Sequence, residues 1–249
     1  MRVTGERIVT SAGGFNASWQ RHSACYACSG RFLAGGPVLD IGCGTGHAHD
    51  LLSPRRVVGL DRDAVSLEGP DRLSVLGDMR ALPFAAGCFP SVLCIHALEH
   101  VPDPEPLIVE TVRVLAPGGT AVFVTPNRLT FAVPDEIIDP YHYREYDPDE
   151  LQALFSPHFG RVEMFALFGS PRYMEFFHAE RRELRALLSK DPLRLRRTLP
   201  RPVRQVLYDW KLTRSRKDRD SPASEFTVAD FELRSKGLDE GLDLMAVCS

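Results

Sequence analysis

Ten consecutive residues, Pro37-Val-Leu-Asp-Ile-Gly-Cys-Gly-Thr-Gly46, place one acid and three alternating glycines next to one another. Val38, Leu39 and Ile41 are strand formers around Asp40, and Gly42, Gly44 and Gly46 let the backbone turn tightly and approach a ligand. Residues from Gly46 to Leu52 are expected to start a helix, whose free N–H groups would face that ligand. Two further acids follow at the ends of apolar runs. Asp61, followed by Arg62, closes Val57-Val-Gly-Leu and lies 17 residues beyond Gly44. Asp78-Met79 follows Leu73-Ser-Val-Leu-Gly77. A carboxylate at the first place can accept from both hydroxyls of a ribose. A carboxylate at the second can accept from an adenine amino group, and Met79 offers the ring a soft apolar surface.

Asp40 decides which nucleoside. Its charge would repel a pyrophosphate but suits an ammonium or sulfonium. The turn also departs from the G-x-G-x-x-G spacing of dinucleotide enzymes. A nucleoside with a positive centre and no phosphate, S-adenosylmethionine, fits all three acids.

The elements that must position these residues alternate. Strands are expected at Val38–Ile41, Val57–Asp61, Leu73–Leu76, Ser91–His96 and Thr120–Thr125. Helices are expected at Gly46–Leu52, Asp63–Leu67 and Pro104–Leu115, the last stopped by Pro117-Gly-Gly119. That pace implies an α/β fold, a mostly parallel sheet with helices on both faces and ligands at the carboxyl ends of the strands. Asp147-Pro-Asp-Glu150 opens a helix to about Phe155. Arg161–Phe168 reads as strand six and Leu242–Ser249 as strand seven. An N-terminal helix is expected over Ala17–Leu33, with Trp19, His22, Cys25 and Tyr26 near one face. It either packs on the sheet edge or closes as a lid over the glycine turn. Four parts result: a lid segment at 1–36, a core at 37–169, a helical insertion at 170–226 and a return to the sheet at 227–249.

The 249 residues carry a formal net charge of −3, which gives no whole-chain argument for nucleic acid. Ser170–Asp220 holds 15 Lys+Arg against 7 Asp+Glu, a local +8. Its helices are expected at Met174–Leu188 and Pro202–Leu212. Its basic residues alternate with Leu and Pro rather than forming a nucleic-acid motif, so it reads as a helical cover or a homodimer contact, with a wall of the acceptor site or a patch for an anionic partner as the alternatives. No apolar run approaches the roughly 18 residues that span a bilayer, and the N-terminus lacks a signal-peptide core, so a cytoplasmic location is expected. The six cysteines are scattered and read as thiols, Cys25-x-x-Cys28 included.

Val38–Gly46 closely resembles the first motif of class I S-adenosylmethionine-dependent methyltransferases. Asp61 matches the ribose-binding acid of that family and Asp78-Met79 its adenine-contacting position. Ala81-Leu-Pro-Phe84, Leu98-Glu-His-Val101 and Pro117-Gly-Gly119 resemble the loops around strand four and the turn before strand five. The resemblance implies a Rossmann-like seven-stranded sheet with an antiparallel last strand, S-adenosylmethionine as cofactor, and cofactor contacts from Asp40, Gly42, Gly44, Gly46, Asp61, Arg62, Asp78, Met79 and His96. The long insertion between the last two strands departs from the family pattern. Gly14–His22 and Pro134–Tyr146 are similar to actinobacterial sugar O-methyltransferases, including those acting at the 1-O position of 3-O-methylmannosides, which implies a carbohydrate hydroxyl as acceptor.

A sugar hydroxyl is a poor nucleophile while protonated, so a base is expected to help, and histidine has the right pKa range. Of the eight histidines, His158 and His178 lie away from the expected cleft, and His47 and His49 read as peripheral. His100 reads as loop-fixing and His96 as the second candidate. His142 is the catalytic candidate, set among Asp139, Tyr141, Tyr143, Arg144 and Glu145, with Asp139 or Glu145 to orient its ring. Trp19, His22, Tyr26, Glu99, Asp139, Tyr141, Tyr143 and Arg144 are the expected acceptor contacts. Phe131, Tyr141, Tyr143 and Tyr146 can stack on sugar rings or pack the loop. Asp135, Glu136 and Asp139 can hold Mg²⁺, but a solvated loop without metal is the preferred reading. The expected partner is a small carbohydrate-like molecule, without nucleic acid or membrane. The alternatives are a natural-product or quinone acceptor, a nicotinamide-dependent oxidoreductase and a non-catalytic S-adenosylmethionine-binding module. Strand four runs into Cys94-Ile-His-Ala and lacks the Asn/Asp-Pro-Pro-Tyr/Phe signature of nucleic-acid amino-methylating enzymes.

Overall fold

A computed structural model of the chain describes residues 17–68, 73–131, 137, 139–188, 199–206 and 225–249. Eight strands form one sheet: β1 Val38–Ile41, β2 Val57–Asp61, β3 Leu73–Leu76, β4 Phe89–Ile95, β5 Leu115–Pro126, β6 Val162–Gly169, β7 Phe231–Arg234 and β8 Asp243–Cys248. Their order is β3-β2-β1-β4-β5-β8-β6-β7. The first five pair in parallel, and β8 runs antiparallel between β5 and β6. The mostly parallel α/β sheet is the one expected from the alternation, and the antiparallel β8 matches the Rossmann-like pattern that the family resemblance implies.

Period-two alternation divides the strands between two cores. Leu39, Ile41, Val92, Cys94, Phe123 and Ala246 face one side, with Leu107, Ile108, Leu151 and Phe155 from the helices α2 (Glu105–Val114) and α4 (Pro148–Phe155). Val38, Leu93, Val122, Val124 and Met245 face the other, with Cys25 and Tyr26 of α1 (Ala17–Ser29) and Tyr173 and Phe177 of α5 (Pro171–Leu188). The basic segment therefore opens with a helix that closes the second core. On α2 the buried residues Leu107, Ile108, Thr111 and Val114 fall on one stripe. α4 starts where Asp147 and Glu150 cap reciprocally, with Pro148 in the first turn. The short helix α3 (Arg128–Phe131) follows β5 directly.

Several sequence expectations are corrected. The sheet has eight strands rather than seven: Phe-Glu-Leu-Arg at 231–234 adds an antiparallel edge against β6. The connection from Gly46 to Leu52 carries only a one-turn 3-10 helix at His49–Leu52, bounded by Gly46 with its left-handed φ of 58° and by Ser53, which is extended (ψ 142°) ahead of Pro54. Asp63–Leu67 is a turn, held by Asp63 accepting from the Ser66 hydroxyl and the Val65 N–H. α1 ends at Ser29 rather than Leu33. Gly30 follows, and its N–H bonds back to the Tyr26 carbonyl. Residues 201–206 are helical, while the remainder of Pro202–Leu212 and the irregular segment expected before Asn16 lie outside the described residues.

Candidate functional site

The glycine turn follows β1 with φ of 73°, 51° and 58° at Gly42, Gly44 and Gly46. The Gly42 and Cys43 N–H groups both reach the Leu60 carbonyl, at 2.8 and 3.1 Å, which ties the turn to β2. A Cβ on Gly42 would lie 2.5 Å from the Ala97 Cβ, and one on Gly46 would lie 2.8 Å from the His49 ring, whereas Gly44 opens onto free space. Asp61 accepts from the Gly44 N–H at 2.9 Å and from the Asp63 N–H at 2.9 Å.

Asp40 is fully buried beneath the turn. The Tyr26 hydroxyl donates to its Oδ2 at 2.8 Å, and the His49 ring lies 2.8 Å from the same oxygen. Burial and the Asp40 charge push the Tyr26 phenol well up, so it keeps its proton and donates. Oδ1 of Asp40 is buried without a hydrogen-bond partner. That orphan acceptor, beside a turn whose middle glycine faces open space, fits the ammonium or sulfonium of S-adenosylmethionine. Asp78 and Arg62 remain at the exposed rim, where Arg80 donates to both Asp78 oxygens and holds that carboxyl at about 2. Met79 lies inward of them, its Cε 3.5 Å from the place of a Gly42 Cβ.

α1 brings its side chains onto this turn. Trp19 lies 4.1 Å from the His47 ring, and His22 stacks on His96 at 3.9 Å. His96 follows β4 directly with φ of 51°, a left-handed backbone that non-glycine residues adopt mainly at special sites. Burial and its positive neighbours, His96 first, press the His22 pKa well down, so its ring stays neutral. Arg21 lies under the same helix and forms a buried ion pair with Asp243 at 2.9 Å, while His96 Nε2 lies 3.4 Å from that acid.

Glu99 joins this group to a second one. Its carboxylate is buried, 3.5 Å from His96 Nδ1, and accepts from the Thr125 hydroxyl at 3.2 Å. Burial alone would raise its pKa, but the neighbouring imidazoles of His96, His100 and His142 hold it at about 2. The Glu99 carbonyl accepts the Tyr143 N–H at 2.8 Å, which fixes the loop that carries His142. The His142 side chain is only 7% exposed, and its Nδ1 lies 2.9 Å from Glu145 Oε1. With the Nδ1 proton given to Glu145, Nε2 is the free basic nitrogen. Asp139 Oδ2 stands 3.9 Å from that nitrogen, and the His100 ring crosses edge-on at 5.1 Å.

Burial works against charge on His142, yet the Glu145 hydrogen bond and the charges of Glu99, Asp139 and Glu145 outweigh it and raise the pKa. A base must be neutral to accept a proton, so the raised value delays activation. We expect kcat/KM to rise with pH along an acid limb whose midpoint lies above 6.5. A midpoint at or below 6.5 would remove His142 from the titration.

The sequence candidates thus form two linked groups: Trp19, His22, Tyr26, Asp40 and His96 at the turn, and Glu99, Asp139, Tyr141 and His142 at the loop. Tyr143 and Arg144 are exposed beside the second, Arg144 turned over the Tyr146 ring at 5.1 Å. Asp135 and Glu136 lie outside the described residues. Among the described residues two donor sets can converge on an ion, each with atoms within 4.8 Å of one another: Cys25, His96 and Asp243, and Glu99, His100 and His142. His49, Arg21 and Asp243 were missed by sequence reasoning. His49 reads as peripheral but bonds Asp40. Asp243 carried a usable signal, since it is the lone acid in an apolar strand, as Asp40 is in β1.

The methyltransferase-domain family matches residues 39–123. A probable S-adenosylmethionine-dependent methyltransferase of Mycolicibacterium smegmatis is 34% identical over 61% of this chain, and the match spans 62% of that relative's length. A probable S-adenosylmethionine-dependent methyltransferase of Mycobacterium tuberculosis is 27% identical over 99% of this chain and 89% of its own length. The ubiquinone biosynthesis O-methyltransferase of Psychrobacter arcticus is 37% identical over 39% of this chain and 43% of its own. An S-adenosylmethionine-dependent methyltransferase structure from Thermotoga maritima superimposes with a TM-score of 0.60 over 92% of this chain and 90% of its own, at 15% identity, a likeness of fold.

Proposed function

We propose that this chain, whose residues 39–123 match a methyltransferase-domain family, is a class I S-adenosylmethionine-dependent methyltransferase that transfers the methyl group to a hydroxyl of a small molecule, a carbohydrate by preference. The domain makes the chain an enzyme that uses S-adenosyl-L-methionine. The observation that carries the acceptor side is the His142–Glu145 pair at 2.9 Å, buried in a loop with Tyr141 and the exposed Tyr143.

The cofactor, when bound, supplies a methyl group on a sulfonium, an electrophile for an oxygen lone pair. Asp40, the glycine turn, Asp61, Met79 and the His96 end of β4 would hold it. The protein's own task is to align the acceptor and remove its proton. His142 takes the hydroxyl proton at Nε2, and Glu145 stabilises the resulting imidazolium. Trp19 and His22 cover the turn and exclude water. Tyr141 and Tyr143 offer aromatic faces to a sugar ring. We assign no step to a divalent cation. Loss of transfer in chelator, restored by Mg²⁺, would reassign the activating role to the Glu99, His100 and His142 donors.

A quinone-like phenol is the second reading, favoured by the Psychrobacter relative's printed name. The carbohydrate is preferred because the loop resembles sugar O-methyltransferases over Pro134–Tyr146 and presents tyrosines there. Calorimetry separates the oxidoreductase alternative: S-adenosylhomocysteine is expected to bind and NADH not to. Binding of NADH alone would overturn the proposal.

A further inference from the structure

The chain from 199 to 206 lies against the loop that carries His142, although about sixty residues separate them in sequence. One side chain makes most of the contact. Arg201 Nε donates to the Pro140 carbonyl at 2.8 Å, and its Nη2 donates to the Tyr141 and His142 carbonyls at 3.0 and 3.1 Å. The same guanidinium lies 3.5 Å from the centre of the Tyr143 ring. Gln205 adds a longer contact, its Nε2 donating to the Pro140 carbonyl at 3.4 Å.

We propose that Arg201 is a positioning residue for His142, and that the basic insertion serves the acceptor site by holding residues 140–143 in the one backbone arrangement that presents the imidazole. The inference rests on the reading of His142 as the residue that takes the acceptor proton. Three successive carbonyls of an irregular loop point at one planar cation. Guanidinium has five N–H donors in a fixed fork, so it can satisfy all three at once and still stack on Tyr143. A lysine ammonium is compact and has no planar fork, so it cannot reproduce that bridge. The opposite side of the loop is fixed by the Tyr143 N–H on the Glu99 carbonyl and by the His100 ring, 3.3 Å from the Tyr141 carbonyl. The loop is thereby clamped between β4's exit and the insertion, and removing Arg201 opens one jaw. Arg201 touches main chain and a tyrosine ring, not the His142 imidazole, so it acts through geometry. A displacement of about 1 Å at a reacting group costs on the order of 10²-fold in rate.

The test compares Arg201→Ala and Arg201→Lys with the intact chain, using labelled S-adenosylmethionine and a panel of 3-O-methylated and unmethylated mannosides. Hydrogen exchange at the Tyr143 amide is followed in parallel and needs no acceptor. We expect kcat to fall about 10²-fold in both variants. S-adenosylhomocysteine affinity should stay within about twofold of the intact chain, Tyr143 exchange should quicken at least tenfold, and added methylguanidinium should restore part of the rate of Arg201→Ala. Wild-type Tyr143 exchange in both variants overturns the inference whatever the rate does, and so does full activity in Arg201→Lys. If Arg201→Ala does not fold, the lysine variant carries the test alone. His142→Gln run beside them separates the two readings: full turnover there refutes His142 as base, while its inactivity together with an active Arg201→Lys refutes only the clamp.

Discussion

Replacing His142 with alanine is expected to lower kcat by about 10²–10⁴-fold, the usual contribution of a placed general base. The affinity for S-adenosylhomocysteine should remain within about twofold. The separation follows from the geometry. His142 belongs to the loop group with Glu145, Asp139 and His100, whereas the turn around Asp40 and Asp61 is built from β1, β2 and α1. Removing the ring also strands Glu145, a buried carboxylate one of whose oxygens already lacks a partner. An unpaired buried group costs about 1–3 kcal/mol or more, so the alanine variant will be less stable as well as slower. His142→Gln resolves the two effects. Its amide can still donate toward Glu145 but cannot take a proton at neutral pH. Low turnover in a glutamine variant of near-normal stability identifies proton transfer as the lost function. Turnover within threefold of wild type in either variant would move the base to another residue, His96 first.

The second large effect is expected at Gly42. Its φ of 73° is strained for a residue with a side chain, and an added Cβ would lie 2.5 Å from the Ala97 Cβ, which is buried and cannot rotate away. The left-handed backbone costs about 1–2 kcal/mol and the overpacking about 1–3 kcal/mol more. Gly42→Ala should therefore unfold several degrees lower and bind S-adenosylhomocysteine at least tenfold more weakly, because relief of the clash displaces the turn from Leu60 and Asp61. Gly44 is the control. Its φ of 51° carries similar strain but no atom lies within 4 Å of an added Cβ, so Gly44→Ala should lose cofactor affinity with a smaller loss of stability. Equal melting temperatures for Gly42→Ala and wild type would contradict this picture of the turn.

These two sites differ in how openly the sequence displays them. The turn is legible because its information is local: three glycines, an acid and flanking strand formers lie within ten residues, and Asp61 and Asp78 end the next two apolar runs. The positions of the first five strands along the chain are legible for the same reason, since each carries its own run and its own turn. His142 stands out by the density of polar and aromatic residues around it, and its orienting partner Glu145 lies three residues away. What stays hidden is set by pairing across the sheet or between remote segments. Arg21 meets Asp243 across 222 residues, and neither has a neighbour in sequence that announces the other. Arg201 reads as one basic residue among many until the loop carbonyls are placed around it. β7 is four residues long with a mixed burial pattern, too short for its period to register. The missing α-helix after the turn has a different cause. The residues from Gly46 onward are compatible with a helix, but Gly46 stays left-handed and Ser53 is extended ahead of Pro54, so one turn forms between them.

The atom that receives the methyl group decides the function of this site. Incubating the intact chain with methyl-labelled S-adenosylmethionine and a panel of methylated mannosides, unmethylated mannosides and catechols, then locating the label by mass spectrometry and NMR, tests it directly. Label on a mannoside oxygen, dependent on His142, is the expected result. Label confined to a nitrogen, or to a catechol oxygen with every mannoside untouched, would contradict it.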